Sequence, residues 1–324
     1  MSSARSGNRS RSDRASGWGP SVSRSIRAVT LAAGLALLAA CGGPGAQPTP
    51  QPPPPPPPVN NPPQIRSLTA SDARAEVDAP ITLTAVVEDS DTPLANLTYT
   101  WSADVGTFSG TGATATWVAG QNASTPADIV LTLTVSERFT SGSVQIENKA
   151  SSTATIRLHN SPKELREMSV RFLTDFANSK VSPDQCVSEF WDSCSGKRDE
   201  LADVQRNRHD YEIVGSTLRP TSLSIAPNRL SAIVHTACSF TSRVIVDKPL
   251  DPGCQTCRKG DVGSTSGDCW TTNVYENGRW WLCTSNYQSA TGPLTAWERA
   301  FFGNPAEDMD EHASPVWLPR TLLT

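Results

Sequence analysis

Histidine is scarce in these 324 residues: His159, His209, His235 and His312, no two of them close in sequence. A metal centre built on imidazole has little to draw on, and no His-Glu-x-x-His, phosphate-cradling glycine loop or Gly-x-Ser-x-Gly elbow occurs. Long apolar runs are missing too. Ala28 to Ala40 is uncharged and apolar but only thirteen residues long, short of the ~20 that a membrane-spanning helix needs. Positive charge is in deficit, with 28 Lys and Arg against 32 Asp and Glu. Six arginines before residue 28, opposed only by Asp13, carry a formal +5, so without them the net charge of −4 becomes −9. A chain that acidic is poorly suited to nucleic acid.

Those arginines, the short apolar run and the small residues ending it have the three-part form of a secretory signal peptide over residues 1–40. Leu38-Ala39-Ala40-Cys41 resembles the bacterial lipobox. The resemblance implies cleavage before Cys41, lipidation of its thiol, and attachment to a membrane through the lipid anchor. Several acyl chains on one residue make such an anchor durable. Gly42 and Gly43 follow, and the absence of Asp at the second mature position resembles lipoproteins sorted to an outer membrane. Residues 41–62 then read as a lipidated cysteine and a disordered tether. Twelve prolines lie between Gly42 and Pro63, and the unbroken run Pro52 to Pro58 favours polyproline II at ~3.1 Å per residue.

Cysteine is absent from residues 63–160, so this region must be held by packing. Alternating segments at Ile81–Val87, Leu97–Trp101, Ala115–Val118, Ile129–Val135 and Ala154–Leu158 predict an all-β sandwich with Trp101 and Trp117 as its largest core side chains. From Asn61-Pro-Pro-Gln-Ile through Thr98-Tyr-Thr-Trp101 to Leu131-Thr-Leu-Thr-Val135 the region resembles the PKD and related immunoglobulin-like repeats of bacterial surface proteins. It diverges after Trp101, where Ser-Ala-Asp-Val-Gly-Thr-Phe108 stands in place of Asp-Phe-Gly-Asp-Gly. The resemblance implies a spacer or binding module. Glu88, Asp89 and Asp91 occupy an acidic loop that would supply the hard oxygen ligands calcium takes; the plainer reading is a solvated turn. No other cofactor is expected.

Residues 161–324 change character. Ser161-Pro162-Lys163-Glu164 predicts a capped helix start, with Leu165, Met168, Phe172, Leu173 and Phe176 at helical spacing. Ser182-Pro183-Asp184-Gln185 repeats the signal, and Lys197 to about His209 continues as a charged helix. Strands are predicted at Tyr211–Val214, Leu230–Val246, Trp270–Glu276 and Arg279–Asn286, the last two joined by Asn277-Gly278, followed by an irregular tail from about 288. Helices followed by an antiparallel sheet ending in Asn-Gly-Arg-Trp-Trp-Leu282 resemble the nuclear transport factor 2-like fold, a group of small isomerases and binding proteins. The enzymes of that group hold an acid and a base in a cavity between helices and sheet. His209, Asp210 and Tyr211 are candidates by type, or simply polar residues at a helix-to-strand junction.

Seven cysteines remain: Cys186, Cys194, Cys238, Cys254, Cys257, Cys269 and Cys283. In an exported domain they should mostly be disulfides, and an odd set leaves one thiol over or pairing between molecules. A two-residue turn at Asn277-Gly278 sets Cys283 opposite Thr272 and Cys269 on the other face, which disfavours Cys269–Cys283. Cys186–Cys194 is the natural local bridge, with Cys283 to Cys238, and Cys269 to Cys254 or Cys257, as the remaining expectations. Cys254-Gln-Thr-Cys257 sits in a Pro/Gly loop rather than at a helix start, against a thioredoxin-like redox role, and the opposite faces of Cys269 and Cys283 hinder a shared zinc. Tyr275, Trp280 and Leu282, with Trp270 and Trp281 nearby, would line a ligand pocket; as a hairpin they are more simply core and cross-strand pairs. The function that follows is a lipid-anchored protein of the cell envelope, facing periplasm or exterior. Such a protein would present a non-catalytic binding or adhesion module to an envelope protein or polysaccharide. The alternative is an isomerase- or hydrolase-type envelope enzyme with a cavity site in the C-terminal domain.

Overall fold

In the computed structural model, residues 60–247 and 257–302 are described. Cys41, the proline run, Cys254 and His312 lie outside the described residues. The sandwich and the α+β part that follows it belong to one compact unit. Among the described residues no helix is long and apolar enough to cross a membrane.

Apolar alternation produces the first half. Ile81–Glu88 (β3) buries every second side chain without a fault. It pairs antiparallel with Gln64–Ala70 (β1) on one side and Thr114–Val118 (β6) on the other, and Thr107–Ser109 (β5) completes the sheet β1-β3-β6-β5. The second sheet, β2-β8-β7-β4, comprises Arg74–Glu76 (β2), Val144–His159 (β8), Ala127–Ser141 (β7) and Thr98–Ser102 (β4), with β2 parallel to β8. Leu83 and Trp117 from the first sheet meet Leu131, Ile156 and Leu158 from the second, all buried. Ala85, Val87, Leu133 and Val135 continue that core. Trp117 is fully buried with its indole N–H satisfied by the Val105 carbonyl, and Trp101 packs at the edge of the same core and donates to the Gly112 carbonyl.

Helical spacing then takes over. Ser161–Ala177 (α1), Pro183–Cys186 (α2) and Gly196–Asp210 (α3) precede the sheet β12-β11-β10-β9, built from Tyr211–Ile225 (β9), Ser231–Val244 (β10), Val262–Glu276 (β11) and Arg279–Ser289 (β12). Ala296–Phe302 (α4) stands where the sequence predicted an irregular tail. The cause is a reciprocal cap: Glu298 N–H donates to Thr295 Oγ1, and Thr295 N–H donates to the Glu298 carboxylate. The start of α1 also differs from expectation. Asn160, not Ser161, is the N-cap, accepting from Lys163 N–H, which frees the Ser161 hydroxyl for tertiary contacts.

The hairpin β11–β12 turns at Asn277 and Gly278, both at positive φ, and Glu276 faces Arg279. The expected register holds to Asn273 opposite Leu282. A bulge then puts Thr284, not Cys283, opposite Thr272. Cys283 is the extra residue, and extra residues in bulges re-aim side chains. It bonds Cys194. That bridge becomes geometrically available because the chain before α3 docks along β12: Leu282 N–H donates to the Glu189 carbonyl, and Trp191 N–H to the Leu282 carbonyl. Gly196 opens the helix there because a Cβ would lie 2.3 Å from the Cys283 carbonyl oxygen.

Candidate functional site

The cysteines show first how far the local reading must be corrected. Cys194–Cys283 and Cys238–Cys269 are the bridges with both partners described, so the expected Cys186–Cys194, Cys238–Cys283 and Cys269 pairings with Cys254 or Cys257 do not form. Cys257 is itself disulfide-bonded. Cys186 is a buried free thiol; loss of hydration pushes its pKa up to about 12, against the pull of the Arg208 cation, so it is inert as a nucleophile at neutral pH.

At the acidic loop, the three carboxylates go separate ways. Glu88 pairs with Arg66 on the exposed side of β3 at 2.7 Å. Asp89 accepts from the Asp91 and Thr92 amides, and Asp91 accepts from Asn61 N–H at 2.7 Å, which first among its contacts holds its pKa down. Among the described residues no three of His, Cys, Asp and Glu gather as a metal site.

A second cluster, unreadable from sequence, forms where the sandwich meets α1. Arg74 from β2 lies with its guanidinium 3.7 Å above the Tyr275 ring and 5.1 Å from that of Trp280. It donates to Glu76, to the Ser161 hydroxyl and to the Arg229 carbonyl. Glu76 in turn accepts from the Ser161 amide at 2.9 Å and hydroxyl at 2.7 Å, placing a carboxylate at the positive end of α1. Trp280 donates its indole N–H to the same hydroxyl. Beside this network a cleft of about 220 Å³ is lined by Arg74, Glu76, Gln121, Asn160, Ser161 and Arg229. Its charged groups already answer one another, since Arg229 pairs with Asp72 and Arg74 with Glu76.

His159, the last residue of β8, is fully buried between Glu164 and the Tyr275 hydroxyl, each at 2.8 Å. A carboxylate can only accept, so Nδ1 carries the proton toward Glu164, and Nε2 lies in hydrogen-bond contact with the Tyr275 hydroxyl. Burial pushes the Glu164 acid up, but the hydrogen bonds from His159 and the Asn160 amide outweigh it and hold the acid below its usual range. A Glu-His-Tyr chain is suited to moving a proton, yet His159 exposes no surface to a substrate; its contacts tie the sandwich to β11. Tyr275 and Trp280 are committed to this joint, and Leu282 is fully buried in the core. His209 and Asp210 meet each other at 2.6 Å at the end of α3, and Tyr211 turns into the core against Trp297 and Phe301.

The two faces of the C-terminal sheet differ sharply. Its inner face is filled: Phe172, Phe176, Phe190, Tyr211, Phe240 and Phe301 interlock, with Phe172 and Phe190 rings 5.1 Å apart and Phe176 and Phe240 rings 5.7 Å apart. The outer face is accessible, and register sets its residues in rows across β9, β10, β11 and β12. Ser222, His235, Trp270 and Asn286 form one row. Ser224, Ile233, Thr272 and Thr284 lie on one side of it, and Arg219, Ala237, Asp268 and Gln288 on the other. The His235 and Trp270 rings stack at 29° with centroids 6.1 Å apart, and His235 Nδ1 is 2.5 Å from the Asp268 carboxylate.

No family model and no curated protein matches the chain. Solved structures similar to part of the chain include a nuclear transport factor 2-like superfamily protein. That protein, from Salmonella enterica serovar Typhimurium LT2, is 15% identical, covers 43% of this chain and 96% of its own, with a TM-score of 0.30. A conserved protein from Planctomyces limnophilus is 16% identical over 39% of this chain and 94% of its own, at a TM-score of 0.29. The intermembrane-space region of the chloroplast protein ARC6 is 9% identical over 39% and 97%, at 0.28.

Proposed function

We propose that this chain is a lipid-anchored envelope protein that presents a non-catalytic binding module. Its sandwich is read as a divergent immunoglobulin-like or PKD-type domain, and its α+β part as nuclear transport factor 2-like. The observation that carries the reading is the contrast between the two faces of the C-terminal sheet. The space where the enzymes of that fold keep an acid-base cavity is occupied by buried aromatic rings, while the opposite face offers polar and aromatic groups to solvent. Two packed sheets, β1-β3-β6-β5 and β2-β8-β7-β4, around one apolar core support the immunoglobulin-like reading of that part. Disulfides suit an oxidising compartment, in keeping with a lipobox at Cys41. The test has two readouts. Full-length chain expressed in a bacterial host should enter the detergent phase on phase separation, and Cys41→Ser should move it to the aqueous phase. The chain should also be retained by isolated envelope material; unchanged partitioning of the variant sinks the anchor, and absence of any retention sinks the binding role.

A further inference from the structure

We infer that the outer face of the C-terminal sheet is a glycan-binding surface that takes a neutral polysaccharide, with Trp270 as the ring on which a sugar stacks. This rests on the reading of the C-terminal part as a binding module and names what it binds. Three observations meet at one place. The first is the platform: Trp270 is part-exposed in the middle of the sheet, and the His235 ring, held by Asp268, packs against its indole. An indole face is apolar and electron-rich, which matches the axial C–H groups of a pyranose. The second is the surround. Ser222, Ser224, Thr272, Thr284, Asn286 and Gln288 occupy the same rows, and every one of these side chains both donates and accepts, as sugar hydroxyls do.

The third is charge. Of the twelve residues in the three rows, only Arg219, His235 and Asp268 carry or can carry a charge, and the last two are bound to each other. A nearly neutral face gives no purchase to nucleic acid or an anionic lipid surface, both of which require a concentration of Lys and Arg. The surface is also open. Four strands at ~4.8 Å spacing present about 14 Å of continuous sheet, so a polymer crossing it meets several contacts in succession, whereas a free monosaccharide has no enclosing wall.

The experiment is affinity electrophoresis of the full-length chain in detergent, through native gels containing dextran, xylan or a soluble β-1,3-glucan as neutral probes and alginate as an acidic one. At least one neutral polymer should retard the chain and alginate should not. Trp270→Ala should weaken the retarding affinity about tenfold or more, and Trp270→Phe should keep most of it. Ser222→Arg, at an exposed position in the same row, should also weaken it without touching the core, and it decides the matter if Trp270→Ala fails to fold by circular dichroism. Three outcomes overturn the inference: no retardation by any neutral polymer, equal retardation by alginate, or full retardation of Ser222→Arg together with any folded Trp270→Ala. A chain that still holds envelope material with these variants in place loses the glycan assignment and keeps the binding role. A chain that holds nothing loses both.

Discussion

The sandwich and the α+β part build their cores by different means. The sandwich has no cysteine, and its buried side chains follow from alternation along β3, β6, β7 and β8. The α+β part breaks alternation with a bulge and fixes the extra residue by a disulfide. A core made by repetition alone is exposed to loss of any one large side chain. A cross-linked core spreads the same load over chain connectivity. The largest effect should therefore come from the sandwich: Trp117→Ala, which empties a fully buried site and orphans the Val105 carbonyl, should cost about 4 kcal/mol. Urea unfolding followed by fluorescence would show it, and a loss below 1 kcal/mol would mean that the packing of the two sheets is not what holds this half.

The second prediction reverses the comparison. Replacing Cys194 and Cys283 together by Ser opens a loop closed across a sequence separation of 89 and should destabilise the α+β part by about 3 kcal/mol. Reduction of the unmodified chain should lower the unfolding temperature of that part and leave the cysteine-free sandwich where it is. Equal shifts in both halves would show that the joint transmits the loss. That joint sets the third test. Arg74→Ala leaves Glu76 without its cation and Tyr275 and Trp280 without the group above their rings, at a cost of about 2 kcal/mol. Calorimetry should show the loss shared by the sandwich and α+β transitions, whereas loss of the Cys194–Cys283 bridge lowers the α+β transition alone.

How much of this was legible depended on where the cause lay. The sequence marks Ile81–Val87 to within a residue because its alternation is local, and α1 because its apolar side chains recur on one face. β7 and β8 run well past the apolar segments because backbone pairing continues through Phe139 and Ile146 after the apolar alternation fades. β9 extends to Ile225 through Pro220 at a bulge, where a missing N–H is tolerated. The short strands β1, β2 and β5 carry no periodicity of their own. Cysteine pairing failed because Cys194 reaches Cys283 only once the segment around Phe190 has docked along β12, and no local spacing encodes that docking. The α4 helix, by contrast, carries its own signal in the sequence, the capping box Thr295-Ala-Trp-Glu298. The cluster of Arg74, His159 and Tyr275 gathers residues about 200 positions apart and has no sequence signature at all.

The smallest effect separates the halves by pH. Glu200 on α3 sits against β12 with Ser285 donating to it. Burial, and secondly the neighbouring Asp203 carboxylate, push its pKa from 4.5 to about 8. A carboxyl whose folded pKa is raised binds its proton more tightly when folded, so its stabilising share is complete below about pH 4.5. It is lost progressively as pH rises through about 8. Glu200→Gln keeps the shape and removes the titration. The variant should therefore be more stable than the parent at pH 8, by about 1 kcal/mol, with the difference shrinking toward pH 5. Because the α+β part holds Glu200 and the sandwich does not, the pH slope should appear in the disulfide-sensitive transition alone. A slope that persists unchanged in Glu200→Gln would place the titrating group elsewhere, and one that appears in the sandwich transition would show that the Arg74 joint couples the two halves even after they unfold at different temperatures.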